Sequence, residues 1–261
     1  EKFAGDLPLL IVDDVLDGLR DLARAARARL KGRVIAVTGS VGKTSTKEAL
    51  RCVLSAQGMT HASVASFNNH WGVPLSLARC PAAADYAIFE IGMNHAGEID
   101  PLVRMVRPHV AIVTTVEPVH LEFFGSVEAI ADAKAEIFVG VEPGGAAVLN
   151  IDNPQYERLA TSAAAAGVAR IVSFGADARA DARLLDVALH PACSAVHARI
   201  LGQEVTYKLG MPGRHMAMNS LAVLAAATLA DTDLARSALA LSQMQADRKS
   251  TRLNSSHMPV S

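Results

Sequence analysis

Apolar runs of membrane-spanning length are missing from this 261-residue sequence. Although 51% of it is hydrophobic, no stretch approaches the roughly 18 to 20 residues that a span requires, so no membrane insertion is expected. An excess of charge is missing too. The formal net charge is −1, which gives no electrostatic case for nucleic acid or an anionic membrane as partner. Cysteine is scarce, and Cys52, Cys80 and Cys193 show no C-x-x-C spacing. That pattern argues against a disulfide framework or a zinc site and suits a reducing compartment, the three reading as small buried hydrophobes. No basic-then-apolar leader follows Glu1; a cytoplasmic protein is expected, with the natural start of the chain left open.

What is present is organised around Arg33-Val-Ile-Ala-Val-Thr-Gly-Ser-Val-Gly-Lys-Thr-Ser-Thr-Lys47. Val34 to Val37, with Thr38 closing, read as a strand buried on both faces, because a half-solvated strand would alternate polar with apolar residues. Gly39, Ser40, Val41 and Gly42 then form a loop of little side-chain bulk. Lys43 and Thr44 open a helix in which Ala49, Leu50, Val53 and Leu54 make one buried stripe. Strand, glycine loop, Lys-Thr and helix start describe a phosphate cradle. Unpaired amides and the positive helix end attract the anion, Lys43 neutralises its charge and the Thr44 hydroxyl reaches Mg2+. A strict G-x-x-x-x-G-K-[ST] would have glycine at position 37, where this chain has Val37; the plainer alternative is a tight strand-to-helix turn with a surface lysine.

The length allows one large or two modest domains. Leu7 to Val12 is a short apolar run, and Asp14 to Leu30 has helical spacing, read as the end of an earlier unit spanning 1–31; Gly32 breaks that helix. His61 to Phe67 is a candidate strand, Asn68 to Pro74 a turn, and Leu75 to Ala78 a short helix. Tyr86 to Glu90, Val110 to Val116, Ala146 to Asn150 and Ile171 to Phe174 are apolar runs separated by helical or loop crossovers. The expectation is an α/β fold with a mostly parallel sheet, helices on both faces, and the ligand at the carboxyl ends of the strands. Leu184 to His190, Ala195 to Leu201 and Glu204 to Leu209 alternate and predict a small antiparallel subsheet, with Gly202-Gln203 as its hairpin turn. An Ala/Leu-rich helix to about Ala230 and a further helical stretch to about Ala246 follow. Asp247 to Ser261 has neither period nor caps and reads as a non-native tail.

Polar residues gather where a parallel sheet would bind. Glu90 ends an apolar strand, a costly position for a carboxylate unless it is paired or metal-bound, and a strand-end carboxylate is the usual Mg2+ partner of a phosphate loop. Glu117 and His120 follow the next strand. His120 reads either as a packed or solvent-facing histidine or, from its position, as a metal or phosphate contact. Lys134, on a helix expected over Val127 to Phe138, reads by default as a solvated lysine.

Five ordered motifs change that default: Thr38-Gly-Ser-Val-Gly-Lys-Thr-Ser-Thr46, Asn68-Asn-His-Trp-Gly-Val-Pro-Leu75, Glu90-Ile-Gly-Met-Asn-His-Ala-Gly-Glu-Ile99, His120-Leu-Glu-Phe-Phe-Gly-Ser126 with Lys134-Ala-Glu-Ile137, and Asn150-Ile-Asp-Asn153. Together they resemble the successive motifs of the Mur ligases over roughly Leu9 to Ala246, in the versions of the branch that joins D-alanyl-D-alanine to UDP-N-acetylmuramoyl-tripeptide. The resemblance implies the family's central ATP-binding domain over 32–246, preceded by the end of a UDP-sugar-binding domain and without the family's C-terminal domain.

It also implies roles. Thr38, Gly39, Ser40, Val41, Gly42, Lys43, Thr44 and Ser45 would surround the ATP phosphates. Asn150, His215 and Asn219 would contact the nucleotide, with Met216 standing where the motif usually has asparagine. Thr44 and Glu90 would hold one Mg2+ and His120 a second, near Lys134, the family's carbamylated lysine. Lys43, His120 and Lys134 would be the catalytic set, and Asn68, Asn69 and Gly72 would meet substrate. ATP, two Mg2+ ions, UDP-N-acetylmuramoyl-tripeptide and D-Ala-D-Ala are the implied ligands, and a monomer is expected. The rival readings are another Mur or folylpolyglutamate-type amide ligase, against which Asn94-His95 and Phe124-Gly125-Ser126 speak, and a nucleotide-binding regulatory module that ligates nothing. Glu90, His120 and Lys134 together favour an enzyme lineage over the latter.

Overall fold

The computed structural model describes residues 10–64, 67–119 and 121–244. Helix α1 (Val15–Arg29) starts where the Asp14 carboxylate accepts from the Asp17 amide at 2.8 Å, a side-chain cap for a donor that has no partner within the helix. Residues 10–12, the end of the short apolar run, are irregular and exposed. The chain then alternates. Strand β1 (Arg33–Thr38) leads to α2 (Lys43–Ser55), β2 (Thr60–Ala62), α3 (Gly72–Ala78), β3 (Tyr86–Glu90), α4 (Ile99–Val106) and β4 (Val110–Val113). Short α5 (Leu121–Phe124), α6 (Val127–Ala135) and a 3-10 turn (Glu136–Gly140) precede β5 (Ala146–Asn150), α7 (Tyr156–Ala165) and β6 (Arg170–Gly175).

The strands lie in the order β2-β3-β1-β4-β5-β6, all parallel. Ile35 pairs with Ile88 on one side and Val110 on the other. Alternate residues of β1 feed opposite faces. Ile35 and Val37 pack with Leu50, Val53 and Leu54 of α2, whereas Val34 and Ala36 pack with Ala23 and Leu30 of the α1 region and with Val103 of α4. A strand covered on both sides must be apolar throughout, which is why these runs lack a period.

Beyond β6 the sheet continues through β7 (Ala182–Leu189), β8 (Ser194–Ile200) and β9 (Gln203–Leu209). Strand β7 is parallel to β6, and β7, β8 and β9 are mutually antiparallel. Only their inner face is buried, with Val196, Ala198, Tyr207 and Leu209 packing under α8 (Arg214–Leu229) and α9 (Leu234–Leu241). The hairpin turn sits one residue earlier than the sequence suggests. Ile200 pairs with Gln203, and Leu201 and Gly202 both take positive φ, the primed geometry that matches strand twist. Two expected strands are shorter. Among the described residues of the stretch read as His61 to Phe67, strand pairing is confined to β2, which spans Thr60–Ala62, and β4 ends at Val113 because the chain turns there to meet the glycine loop.

Candidate functional site

Three parallel strands deliver the site at their carboxyl ends. After β1, Gly39 (φ 145°) and Gly42 (φ 84°) bend the loop, and Gly42 caps α2 in the left-handed region that side chains resist. Crowding fixes the same glycines. A Cβ on Gly39 would lie 2.0 Å from Thr114 Oγ1, and one on Gly42 would lie 2.7 Å from Asn219 Nδ2. The Thr114 hydroxyl donates to the Val41 carbonyl at 2.6 Å. Ser40 is tied to the chain past β4, its amide donating to Thr115 O at 2.9 Å and its hydroxyl accepting from the Glu117 amide at 2.9 Å. Lys43 Nζ folds back onto the carbonyls of Gly39 (2.8 Å) and Ser40 (3.4 Å). Burial lowers its pKa, partly opposed by the charge of Glu90. Ser45 hydroxyl donates to Gly42 O at 3.0 Å, while the buried Thr38 hydroxyl has no partner among the described residues.

Glu90, only 1% exposed, is held from two sides. Thr44 Oγ1 donates to its Oε2 at 2.9 Å and Asn68 Nδ2 donates to its Oε1 at 2.8 Å. The strand-end carboxylate and the first helical threonine are therefore joined directly. A feature that reading missed is Lys47, fully buried and 4.0 Å from Glu90 Oε2. Its spacing could have revealed it, since Lys47 lies three residues before Leu50 and seven before Leu54, on the buried stripe.

Lys134 on α6 is not a solvated lysine. It is 4% exposed, and burial, with the nearby charge of Lys43 acting in the same direction, lowers its pKa to about 7. At that value roughly half of the amine is neutral near pH 7. Among the described residues no carboxylate pairs with it. The expected helix over Val127 to Phe138 is α6 followed by the 3-10 turn, and Glu136 there accepts the amides of Gly97 (2.6 Å), Ile99 (3.1 Å) and Asp100 (3.1 Å) at the start of α4. Asn150 joins the loop through Thr114, donating to its carbonyl at 3.5 Å.

The remaining expected positions divide. Asn219 abuts Gly42, whereas His215 lies one turn earlier on α8 beside Gly213. Met216 is buried in the core among the aliphatic residues of α8, not presented to the loop. Asn68 touches Glu90, but Asn69 caps α3 by accepting from Trp71 N and Gly72 N, and Gly72 is glycine because a Cβ would meet the Phe67 backbone at 2.6 Å. His120, expected to hold a second metal ion, lies outside the described residues.

Hard oxygen donors from Thr44 and Glu90 suit Mg2+, which takes one or two protein ligands and completes its shell with phosphate and water. No group of three or more His, Cys, Asp or Glu side chains that could cage a metal occurs among the described residues.

The model of the Mur ligase middle domain matches residues 37–227 of this chain. The chain belongs to the Mur ligase family. The Mur ligase match contains the loop, Glu90, Lys134, Asn150 and Asn219. UDP-N-acetylmuramoyl-tripeptide--D-alanyl-D-alanine ligase of Rickettsia prowazekii is 40% identical over 177 residues, 68% of this chain and 39% of that protein. Among solved structures, MurF from Acinetobacter baumannii superposes with a TM-score of 0.85 at 30% identity, covering 94% of this chain and 53% of that one. MurF from Thermotoga maritima, solved in complex with ADP, gives 0.78 at 27% identity and covers 94% and 55%. The chain thus spans about half the length, or less, of these relatives. Among the described residues no helix is long and apolar enough to cross a membrane.

Proposed function

We propose that this chain is the ATP-handling part of a MurF-type ligase, which joins D-Ala-D-Ala to UDP-N-acetylmuramoyl-tripeptide in peptidoglycan precursor synthesis. The observation that carries the reading is the Thr44–Glu90–Asn68 arrangement beside a glycine loop at the switch point of the parallel sheet, in a chain similar to ligases of that name.

A carboxylate is a poor electrophile. The terminal carboxylate of the tripeptide attacks the γ-phosphorus of ATP, ADP leaves, and an acyl phosphate forms. The amine of D-Ala-D-Ala then attacks the acyl carbon and loses a proton, and phosphate departs with the C–O bond electrons. Lys43, released from the Gly39 and Ser40 carbonyls, holds the transferring phosphoryl group, and the loop amides orient the phosphates. Mg2+, when bound, supplies positive charge against the phosphoryl oxygens; Thr44 and Glu90 would hold one ion, and His120, with Lys134, a second. The neutral amine fraction of Lys134 is the form that captures CO2, releasing a proton to solvent and giving a carbamate that would serve a cation as a carboxylate does. Asn150 and Asn219 line the nucleotide side of the loop.

The test is a ligation assay on a protein carrying these residues at the relatives' full length. The product of UDP-N-acetylmuramoyl-tripeptide, D-Ala-D-Ala and ATP-Mg2+ is sought by mass spectrometry. Amide product and phosphate formed only when both substrates are present support the reading; phosphate release indifferent to either substrate refutes it in favour of a nucleotide-binding module. The 261 residues by themselves are expected to bind nucleotide without forming product. Holding carboxylate, ATP and amine in reacting geometry accounts for roughly 7 to 11 kcal/mol of barrier, and proteins of about twice this length carry the ligase name.

A further inference from the structure

Helix α2 sends a second lysine inward. Lys47 has no exposed surface, and an ammonium withdrawn from water costs several kcal/mol unless partners replace the solvent. The partners are specific. Nζ donates to the Ser63 carbonyl at 2.9 Å, lies 3.2 Å from Glu48 Oε1 and stands 4.0 Å from Glu90 Oε2. Ser63 closes the figure from its other end, its hydroxyl accepting from the Glu90 amide at 3.3 Å. Residues 63–68 then lead to Asn68, the donor to the second Glu90 oxygen. One ammonium therefore links the helix that carries Thr44, the segment that leads to Asn68, and the carboxylate that both of them hold.

We propose that Lys47 is a positioning residue for divalent-cation binding. It keeps Glu90 Oε2 directed at Thr44, so that two oxygen donors are presented together. The inference rests on reading Thr44 and Glu90 as the holders of Mg2+. Mg2+ demands near-ideal octahedral geometry and tolerates misplaced donors poorly, whereas the loop amides and Lys43 bind phosphate without help from Glu90. Loss of Lys47 should therefore weaken the metal-dependent part of nucleotide binding and spare the metal-free part.

The experiment measures affinity for a non-hydrolysable ATP analogue calorimetrically, in excess Mg2+ and in EDTA, for the unaltered protein, Lys47→Met, Glu90→Gln and the double variant. In Lys47→Met the strengthening by Mg2+ should fall by about tenfold or more, the scale of one charge-assisted contact. The affinity in EDTA should stay within about threefold. Adding Lys47→Met to Glu90→Gln should cost nothing further, because the group through which Lys47 acts has gone; an undiminished Mg2+ effect, or additive losses, overturns the proposal. Thermal melting of the same four proteins reads the coupling without metal or nucleotide. Lys47→Met should lower Tm more when Glu90 is retained than when it is combined with Glu90→Gln, and equal drops overturn it. If Lys47→Met does not fold, a folded double variant supports coupling and an unfolded one refutes it. Should the unaltered protein show no strengthening by Mg2+, the metal reading of Thr44 and Glu90 fails, and the melting cycle still decides whether Lys47 acts on Glu90.

Discussion

Arg27 and Lys134 are each only 4% exposed, at opposite ends of the same strands, and their surroundings differ. Arg27 lies at the amino ends. Its guanidinium donates to the carbonyls of Val106 and Arg107 at 2.7 Å, and to Glu142 at 3.1 Å. It thereby satisfies the end of α4, where Arg107 turns into the left-handed region (φ 47°). Lys134 lies toward the carboxyl ends, with the positive charge of Lys43 nearby and no carboxylate partner among the described residues. Lys43 likewise donates, among the described residues, only to carbonyls of its own loop. Arg27, surrounded by acceptors, has a structural task. Lys134, short of acceptors among the described residues, has its pKa lowered to about 7, and strongly perturbed groups of that kind concentrate where function is.

The largest expected effect tests the chemistry of the under-partnered cation. In a full-length ligase, Lys134→Ala and Lys134→Arg should both lose turnover by about 10²-fold or more, the scale seen when one transition-state charge contact is removed. Arginine keeps the positive charge but cannot become a carbamate, so near-normal turnover with arginine would end the carbamate reading. Acetate or formate partly restoring the alanine variant would strengthen it.

The fully partnered cation should respond in stability alone. Arg27→Met leaves the Val106 and Arg107 carbonyls without their donor and is expected to cost about 3 kcal/mol, lowering Tm by roughly 6 to 12 °C for a chain of this size. ATP affinity measured below the transition should not change; a loss of nucleotide binding would show that the two ends of the sheet are coupled. A smaller effect is expected at the loop. Lys43→Ala removes one charge-assisted phosphate contact of roughly 1.5 to 3 kcal/mol, or about tenfold to over a hundredfold in ATP affinity. Unchanged affinity by calorimetric titration would discard the cradle.

The smallest effect carries the sharpest contrast, because its sign is opposite to that at Arg27. Folding lowers the Lys134 pKa from 10.5 to about 7. Between those values the unfolded chain holds a proton that the folded chain has released, so this group makes stability rise with pH from about 7 to 10.5. Below about pH 7 both states are protonated and the burial penalty is fully present. Lys134→Met should therefore stabilise the protein by about 1 kcal/mol at neutral pH in bicarbonate-free buffer, and flatten the rise toward pH 10.5. A destabilised methionine variant in urea titrations would mean that the amine has partners unlike those described.

Sequence patterns reveal the sheet better than the buried charges. Val34 to Val37 and Ala146 to Asn150 were legible because strands covered on both faces must be apolar without interruption. Glu90 was legible because it interrupts such a run at its end. Lys47, Arg27 and Lys134 were not, since a charged residue on a helix is read as solvated. Yet each sits in phase with its helix's apolar stripe: Lys47 with Leu50 and Leu54, Arg27 with Ala23 and Leu30, Lys134 with Ile130 and Ala131. The phase was visible in the sequence; among the acceptors of Lys47 and Arg27, Ser63 and Glu142 come from 16 and 115 positions away. The shortening of β4 was hidden for a similar reason, its end being set by contacts to the glycine loop. Asn69 and Gly72, which the resemblance relates to substrate, also shape the start of α3.

The two outermost strands bear on how the protein behaves in concentrated solution. Among the described residues the sheet has nine strands and two margins, and an open margin is a template for another chain. One margin is β2, only three residues long, and the other is β9, which carries exposed Glu204 and Lys208. A short strand offers few free backbone groups, and fixed charges repel a neighbour that would lie against them. Self-association by strand addition is thus disfavoured at both margins, and samples concentrated enough for calorimetry should remain dispersed.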